Sequence, residues 1–164
     1  MPSNGCHENK AVADLRTPCM VVYKDVLQRN CDNMRAIAKK MDCDLRLHMK
    51  TAKTLEAGVI ATNGTKRGIT VSTIAEANFF GAGGFSNVLY AVPLSGQGKV
   101  ADCAELTKSV TDFHILVDNL AQLPPILGWK DGSVKWSIYV MIDNGYHRDG
   151  IMPETPEALE LAKR

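Results

Sequence analysis

At 164 residues, with 45% apolar and 23% charged residues, the chain is long enough for one domain with a real core and ordinary in composition for a globular protein. Its net charge of +1 gives no electrostatic case for nucleic acid or a membrane surface. No apolar run is long enough to span a bilayer, and the polar start MPSNGCHENK lacks the apolar centre of a signal peptide. The five cysteines (Cys6, Cys19, Cys31, Cys43 and Cys103) are odd in number and form no C-x-x-C pair, so reduced thiols in a cytoplasmic protein are expected.

Residues 1–14 are polar and irregular and are expected to form a disordered leader, followed by one domain over 15–164. Thr17 to Tyr23 (TPCMVVY) reads as a strand with Pro18 at its start. Asp25 is placed to cap a helix reaching about Met41, with Leu27, Cys31, Met34, Ile37 and Ala38 at helical spacing. A strand is expected over 43–50, then a helix from near Thr54 to about Ala61, and a turn at Asn63-Gly64-Thr65-Lys66. Gly68 to Ser72 gives a strand, Thr73 to Phe80 a helix, and Val88 to Val92 another strand in which Tyr90 reads as core. Residues 99–110 read as helical and Phe113 to Val117 as a strand, whereas Pro124-Pro125 break or shorten any helix over 119–129. Val134 to Ile142 reads as a strand ending at Asp143, and Pro156 opens a last helix.

The alternation of short apolar strands with helices is the rhythm of a parallel sheet buried on both faces. Periodicity alone leaves a doubly wound sheet and a barrel equally open. In both, ligands bind at the carboxyl ends of the strands, where Lys50, Ser72, Asp118-Asn119 and Asp143-Asn144 fall. No dinucleotide or Walker signature follows the first strand, and Gly96-Gln97-Gly98-Lys99 lacks the spacing of a phosphate loop.

The segment Arg46-Leu47-His48-Met49-Lys50-Thr51-Ala52-Lys53 carries the most chemistry. Strand alternation puts Arg46, His48 and Lys50 on one face and Leu45, Leu47 and Met49 on the other. Three basic groups on one face are costly to bury unless something anionic or reactive faces them. A lysine crowded by cations and partly desolvated is expected to have a depressed pKa and to serve as an amine nucleophile, the environment of a Schiff-base lysine. The plainer alternative is a solvated lysine at a strand end.

The chain resembles the N-terminal part of D-serine dehydratases and D-threonine aldolases, members of the alanine-racemase-like pyridoxal phosphate enzymes, from about Leu15 to Arg164. The resemblance rests on Thr17-Pro18, Arg29-Asn30, His48-Met49-Lys50-Thr51, Val71-Ser72-Thr73 with Glu76-Ala77, Ala91-Val92-Pro93, and Gly145-Tyr146-His147-Arg148-Asp149-Gly150, in that order. The block from Arg67 to Thr73, with Phe79-Phe80, is more similar to the dehydratases than to the aldolases. The resemblance implies an α/β fold, a (β/α)8 barrel followed by a β-rich domain, with pyridoxal 5'-phosphate at the barrel mouth. It implies Lys50 as the lysine that carries the cofactor and takes the substrate's Cα proton. Arg148 would then approach the cofactor's phenolic oxygen, and His48 would lie near its ring. Taken without the family, Arg148 is equally a loop arginine in a Gly-x-x-Arg-x-Gly turn, and His48 reads better as a packed, hydrogen-bonded histidine. Ser72 and Asp143 read equally as caps of the turns that follow them.

Two departures stand out. Many relatives have a second histidine in His-x-Lys-Thr-His-Lys, where this chain has Ala52. The sequence also accounts for about five βα units of a barrel that takes eight, in roughly 250 residues. A fragment, a truncated gene model or a short isoform is therefore expected, with phosphate-binding loops, C-terminal domain and zinc ligands outside the chain and no metal site within it. The resemblance implies a D-amino-acid lyase, foremost one dehydrating D-serine to pyruvate and ammonia, homodimeric when full length, with no nucleic-acid or membrane partner. The alternatives are a D-threonine aldolase, a non-catalytic pyridoxal phosphate-binding protein, or an inactive truncated isoform.

Overall fold

The computed structural model describes residues 10–164. Its elements run α1 (Lys24–Lys40), β1 (Leu47–His48), α2 (Leu55–Ala61), β2 (Arg67–Val71), α3 (Ile74–Ala82), β3 (Ser86–Pro93), α4 (Gln97–Ser109), β4 (Phe113–Val117), α5 (Leu123–Leu127), β5 (Ile138–Val140) and α6 (Pro156–Lys163). The local chemistry explains most boundaries. Thr54, Thr73 and Thr155 each accept a backbone N–H three residues on, which satisfies a donor the first turn would leave unpaired. Pro124 and Pro125 fall in the first turn of α5, where a missing N–H costs nothing, and so this helix is short rather than broken.

All five strands are parallel and lie in the order β1-β2-β3-β4-β5. A doubly wound sheet reverses its strand order at a switch point. Here each strand pairs with the next in sequence, and α1 packs on α2, α3 on α4 and α4 on α5. That is the winding of a barrel wall, five strands wide.

The helix-covered face is the core. Ile69, Val71, Val88, Ile115 and Val117 are at most 1% exposed, Tyr90 is buried with them, and Phe80 and Phe85 meet edge to face beneath α3. Each such aliphatic side chain stabilises the fold by about 1.5–3 kcal/mol relative to exposure. Cys103 packs here too, with burial pushing its thiol up to about 12. The opposite face is different in kind. His48, Thr70, Leu89 and His114 line up across four strands, with Leu116 beside Tyr139. The expectation of a sheet buried on both faces holds for the helix-covered face only: the inner face is half polar and leaves His48 and Tyr139 exposed, as a barrel interior that receives a ligand at one end can be.

Other expectations also change. Thr17 to Tyr23 forms no strand; Met20 and Tyr23 are more than 70% exposed. β-branched residues favour a strand only where a neighbour supplies ladder hydrogen bonds and packing, and none of the described residues does so here. The strand expected over 43–50 keeps only two ladder residues, Leu47 and His48, before the chain turns. Asp25 lies in the first turn of α1 and does not cap it; Tyr23 holds the cap position without a side-chain bond. The strand expected over 134–142 pairs at Ile138–Val140, with a separate bridge from Ile142 to Ile151. Of the leader expected over 1–14, residues 1–9, Cys6 among them, lie outside the described residues, and Val12–Asp14 make one 3-10 turn.

Candidate active site

Lys50 lies two residues beyond the end of β1, in the tight turn that leads to α2. Met49, 3% exposed, anchors the turn on the core side, and its N–H donates to Thr70 O at 2.8 Å. Lys53 closes the turn by donating its N–H to Met49 O at 3.1 Å, with its own backbone in the left-handed region at φ 49°. The Lys50 side chain is exposed, which corrects the expected desolvation. Among the described residues its ammonium has no ion-pair partner, whereas Lys53 pairs with Glu76 at 3.0 Å and Lys66 donates to Gly83 O at 2.9 Å.

His48 is hydrogen-bonded on both sides. Its Nδ1 accepts the Lys50 N–H at 3.4 Å, and Nε2 lies 3.3 Å from Ser72 Oγ. An Nδ1 that accepts assigns the neutral ring's proton to Nε2, which donates to the serine. Burial, followed by the Lys50 charge, holds the imidazole below its usual pKa against a weaker opposing pull from Glu76, so it is neutral at pH 7. Glu76 itself is 8% exposed on the first turn of α3, and its Oε2 accepts the Ser72 N–H at 2.7 Å. Burial would raise the Glu76 pKa, but the Ser72 N–H and the Lys53 ammonium outweigh it and the carboxyl titrates below its usual range.

Arg46 takes a different course from the one expected of a cation beside a reactive centre. Its guanidinium donates to Ile69 O at 3.2 Å, to Asn87 O at 2.9 Å and to Asn87 Oδ1, and lies 5.9 Å from the centroid of the Tyr139 ring. Backbone carbonyls and an aromatic face, not an anion, satisfy this charge. Asn87 Oδ1 also faces His114 Nε2 at 3.2 Å, and His114 Nδ1 meets Ser137 Oγ at 2.7 Å. This network spans the amino end of the inner face, away from Lys50.

Arg148 lies beyond β5, at the same carboxyl end of the sheet as Lys50 but four strands along. The two are not brought into contact. Its guanidinium is largely exposed, 3.8 Å from Asp149. The loop that carries it is built on two carboxylates. Asp143 Oδ1 accepts from Gly145 N–H at 2.9 Å and His147 N–H at 3.1 Å, and Asp118 Oδ2 accepts from Gly150 N–H at 3.2 Å.

The sequence-derived site of Lys50, His48 and Arg148 is thus split into a β1 cluster and a β5 loop. Ser72, Glu76 and Lys53 join the first cluster, and Asp118 and Asp143 shape the second. Thr73-x-x-Glu76 has the spacing of a capping box and could have directed attention to Glu76. Asn87 and His114 carry no local signal, because their partners are tens of residues away. Among the described residues no group of three or more His, Cys, Asp or Glu side chains could hold a metal. No helix among them is long and apolar enough to cross a membrane.

A sequentially wound parallel sheet, with a lysine at the carboxyl end of its first strand and an arginine loop after its last, defines a lysine-bearing wall of an α/β barrel. The chain belongs to the alanine racemase N-terminal domain family, whose model matches residues 22–164, and its fold is alanine racemase-like. It is 33% identical over 165 residues to a D-serine dehydratase of Dictyostelium discoideum, covering 94% of this chain and 41% of the relative. A D-threo-3-hydroxyaspartate dehydratase of Delftia sp. is 29% identical over 151 residues, 91% of this chain and 40% of the relative. The crystal structure of an alanine racemase-like protein from Idiomarina loihiensis superposes with a TM-score of 0.85 at 30% identity, over 93% of this chain and 41% of that one. The chain therefore spans about two fifths of the length of the relatives it matches.

Proposed function

We propose that this chain supplies the lysine-bearing wall of a pyridoxal phosphate-dependent lyase acting on 3-hydroxy D-amino acids, with D-serine as the substrate. The observation that carries the reading is the contrast between two neighbouring lysines. Lys53 is committed to a buried carboxylate, whereas Lys50 stands at the carboxyl end of an inner-face strand without an ion-pair partner among the described residues. The names of the relatives, two dehydratases of D-hydroxy amino acids, support the same class.

The donor set fits the cofactor: an uncommitted amine beside a neutral imidazole, at the end of a parallel strand where barrels bind ligands. Lys50 would hold the cofactor through its amine and, when that amine is free, take the proton from the substrate's Cα. His48, kept neutral and fixed by Ser72, would lie beside the cofactor without adding charge. Arg148 would hold the phenolic oxygen with its guanidinium. When bound, the cofactor supplies an electron sink for the charge left at Cα. The β-hydroxyl then leaves as water and a water molecule replaces the amino nitrogen, so that D-serine gives pyruvate and ammonia. Zinc is proposed for the full-length protein with its ligands outside this chain, and no step here is assigned to it.

The test is product analysis with the full-length protein. Pyruvate and ammonia in equal amounts from D-serine are expected. Glycine and acetaldehyde from D-threonine, without pyruvate from D-serine, would overturn dehydration in favour of aldol cleavage.

A further inference from the structure

We propose that Glu76 is a positioning residue for Lys50, a role that rests on the reading of Lys50 as the cofactor lysine. One carboxylate on α3 holds the lysine turn from both sides. Downstream of Lys50, the Lys53 ammonium lies 3.0 Å from Glu76 Oε1. Upstream, Glu76 Oε2 accepts the Ser72 N–H at 2.7 Å, Ser72 Oγ meets His48 Nε2 at 3.3 Å, and His48 Nδ1 accepts the Lys50 N–H at 3.4 Å. With the chain from Lys50 to Lys53, these contacts close a ring through residues 76, 53, 50, 48 and 72.

Two features separate this from an ordinary helix cap. Thr73 already caps α3, its hydroxyl accepting the Glu76 N–H at 3.0 Å, so the helix start does not require the contact with Lys53. Glu76 Oε1 is buried without a hydrogen-bond partner, leaving the Lys53 ammonium as the charge that compensates it. A buried carboxylate of this kind is costly unless its pair is kept, and Lys53, at the end of the lysine turn with its backbone at φ 49°, supplies that pair. The pair ties the downstream end of the turn to α3, as the Ser72–His48 contacts tie its upstream end, and so limits where Lys50 can be presented. The pair also withholds Lys53 from the cofactor.

The test compares capture of pyridoxal phosphate in the full-length protein, the unaltered protein against Glu76→Gln and Lys53→Met. After borohydride reduction, pyridoxyl-lysine is quantified by peptide mapping at several times. The glutamine keeps an acceptor for the Ser72 N–H but loses the charge that holds Lys53. Capture at Lys50 is expected to slow by about tenfold or more, since an ångström of misplacement can cost about a hundredfold. Label is also expected at Lys53, a redistribution that loss of stability alone would not produce. Lys53→Met, at a mostly exposed site, is expected to slow Lys50 capture in the same direction, and it decides the matter if Glu76→Gln does not fold. Unchanged capture at Lys50 in the folded variants, with Lys53 unlabelled, would overturn the positioning role alone. Label absent from Lys50 in the unaltered protein would overturn the cofactor-lysine reading and this inference with it.

Discussion

Asp143 holds His147 twice, accepting its backbone N–H at 3.1 Å through Oδ1 and lying 2.8 Å from its Nδ1 through Oδ2. With the Gly145 N–H on the same Oδ1, one carboxylate organises the loop that presents Arg148. The backbone N–H of His147, then that of Gly145, then the His147 ring hold the Asp143 pKa below its usual value. A carboxyl whose native pKa is depressed stabilises the fold above its unfolded value, near 3.9, and that contribution is lost as pH falls through the lower native value. Lowering the pH from 7 through this range should therefore loosen the loop. Asp143→Ala should loosen it already at pH 7, and faster amide exchange at Gly145 and His147, with strand amides of β2 to β4 unchanged, is the expected record.

Gly150 is required on two counts. Its φ is 99°, and a Cβ there would stand 2.6 Å from Asp143 N and 2.8 Å from Ile142 C, both backbone atoms that cannot move aside. Gly150→Ala should cost about 1–3 kcal/mol, the range for a residue held in a sparsely populated backbone region, and displace the Arg148 loop. A urea midpoint equal to that of the parent would contradict this.

Arg46 governs a histidine it does not touch. Burial, then the Arg46 charge, hold the His114 pKa below its usual value. Arg46→Leu should raise it toward about 6.5, readable by NMR titration of the ring. The variant should also lose roughly 1–3 kcal/mol of stability, because the Ile69 and Asn87 carbonyls lose their donor. Because His114 is depressed when folded, its contribution is fully present above about 6.5 and is lost as pH falls toward the native value. The parent should thus be more stable at pH 7.5 than at 5.5, and the variant less sensitive to that change.

Arg148→Ala should weaken turnover and alter the pH dependence of the bound cofactor's absorbance while leaving attachment at Lys50 intact. An unchanged titration with normal turnover would return Arg148 to the role of a loop arginine.

The 164-residue chain produced alone should self-associate and release no pyruvate from D-serine. Among the described residues β1 and β5 each have an unpaired edge, and Val22, Tyr23, Ile142 and Tyr146 are exposed. Light scattering on the purified chain should give a mass above that of a monomer.

Local rules made much of this legible. The sequence starts two helices near Thr54 and at Thr73, and these threonines cap α2 and α3, but strand alternation does not reach Lys50, which lies in the turn beyond β1. The barrel could not be read from periodicity, because it depends on strand order, which no local pattern encodes. Thr17 to Tyr23 failed as a strand for want of a neighbour, not of propensity. The Lys53–Glu76 pair and the Arg46–Asn87–His114 network stayed hidden because each joins residues that only the fold brings together.

The most direct test of the central claim is the identity of the lysine that carries the cofactor. The full-length protein is loaded with pyridoxal phosphate, reduced with borohydride and mapped by peptide mass spectrometry. The pyridoxyl group is expected on Lys50 and on no other lysine of this chain. A pyridoxyl group on Lys53 or Lys99, with Lys50 unmodified, would contradict the account.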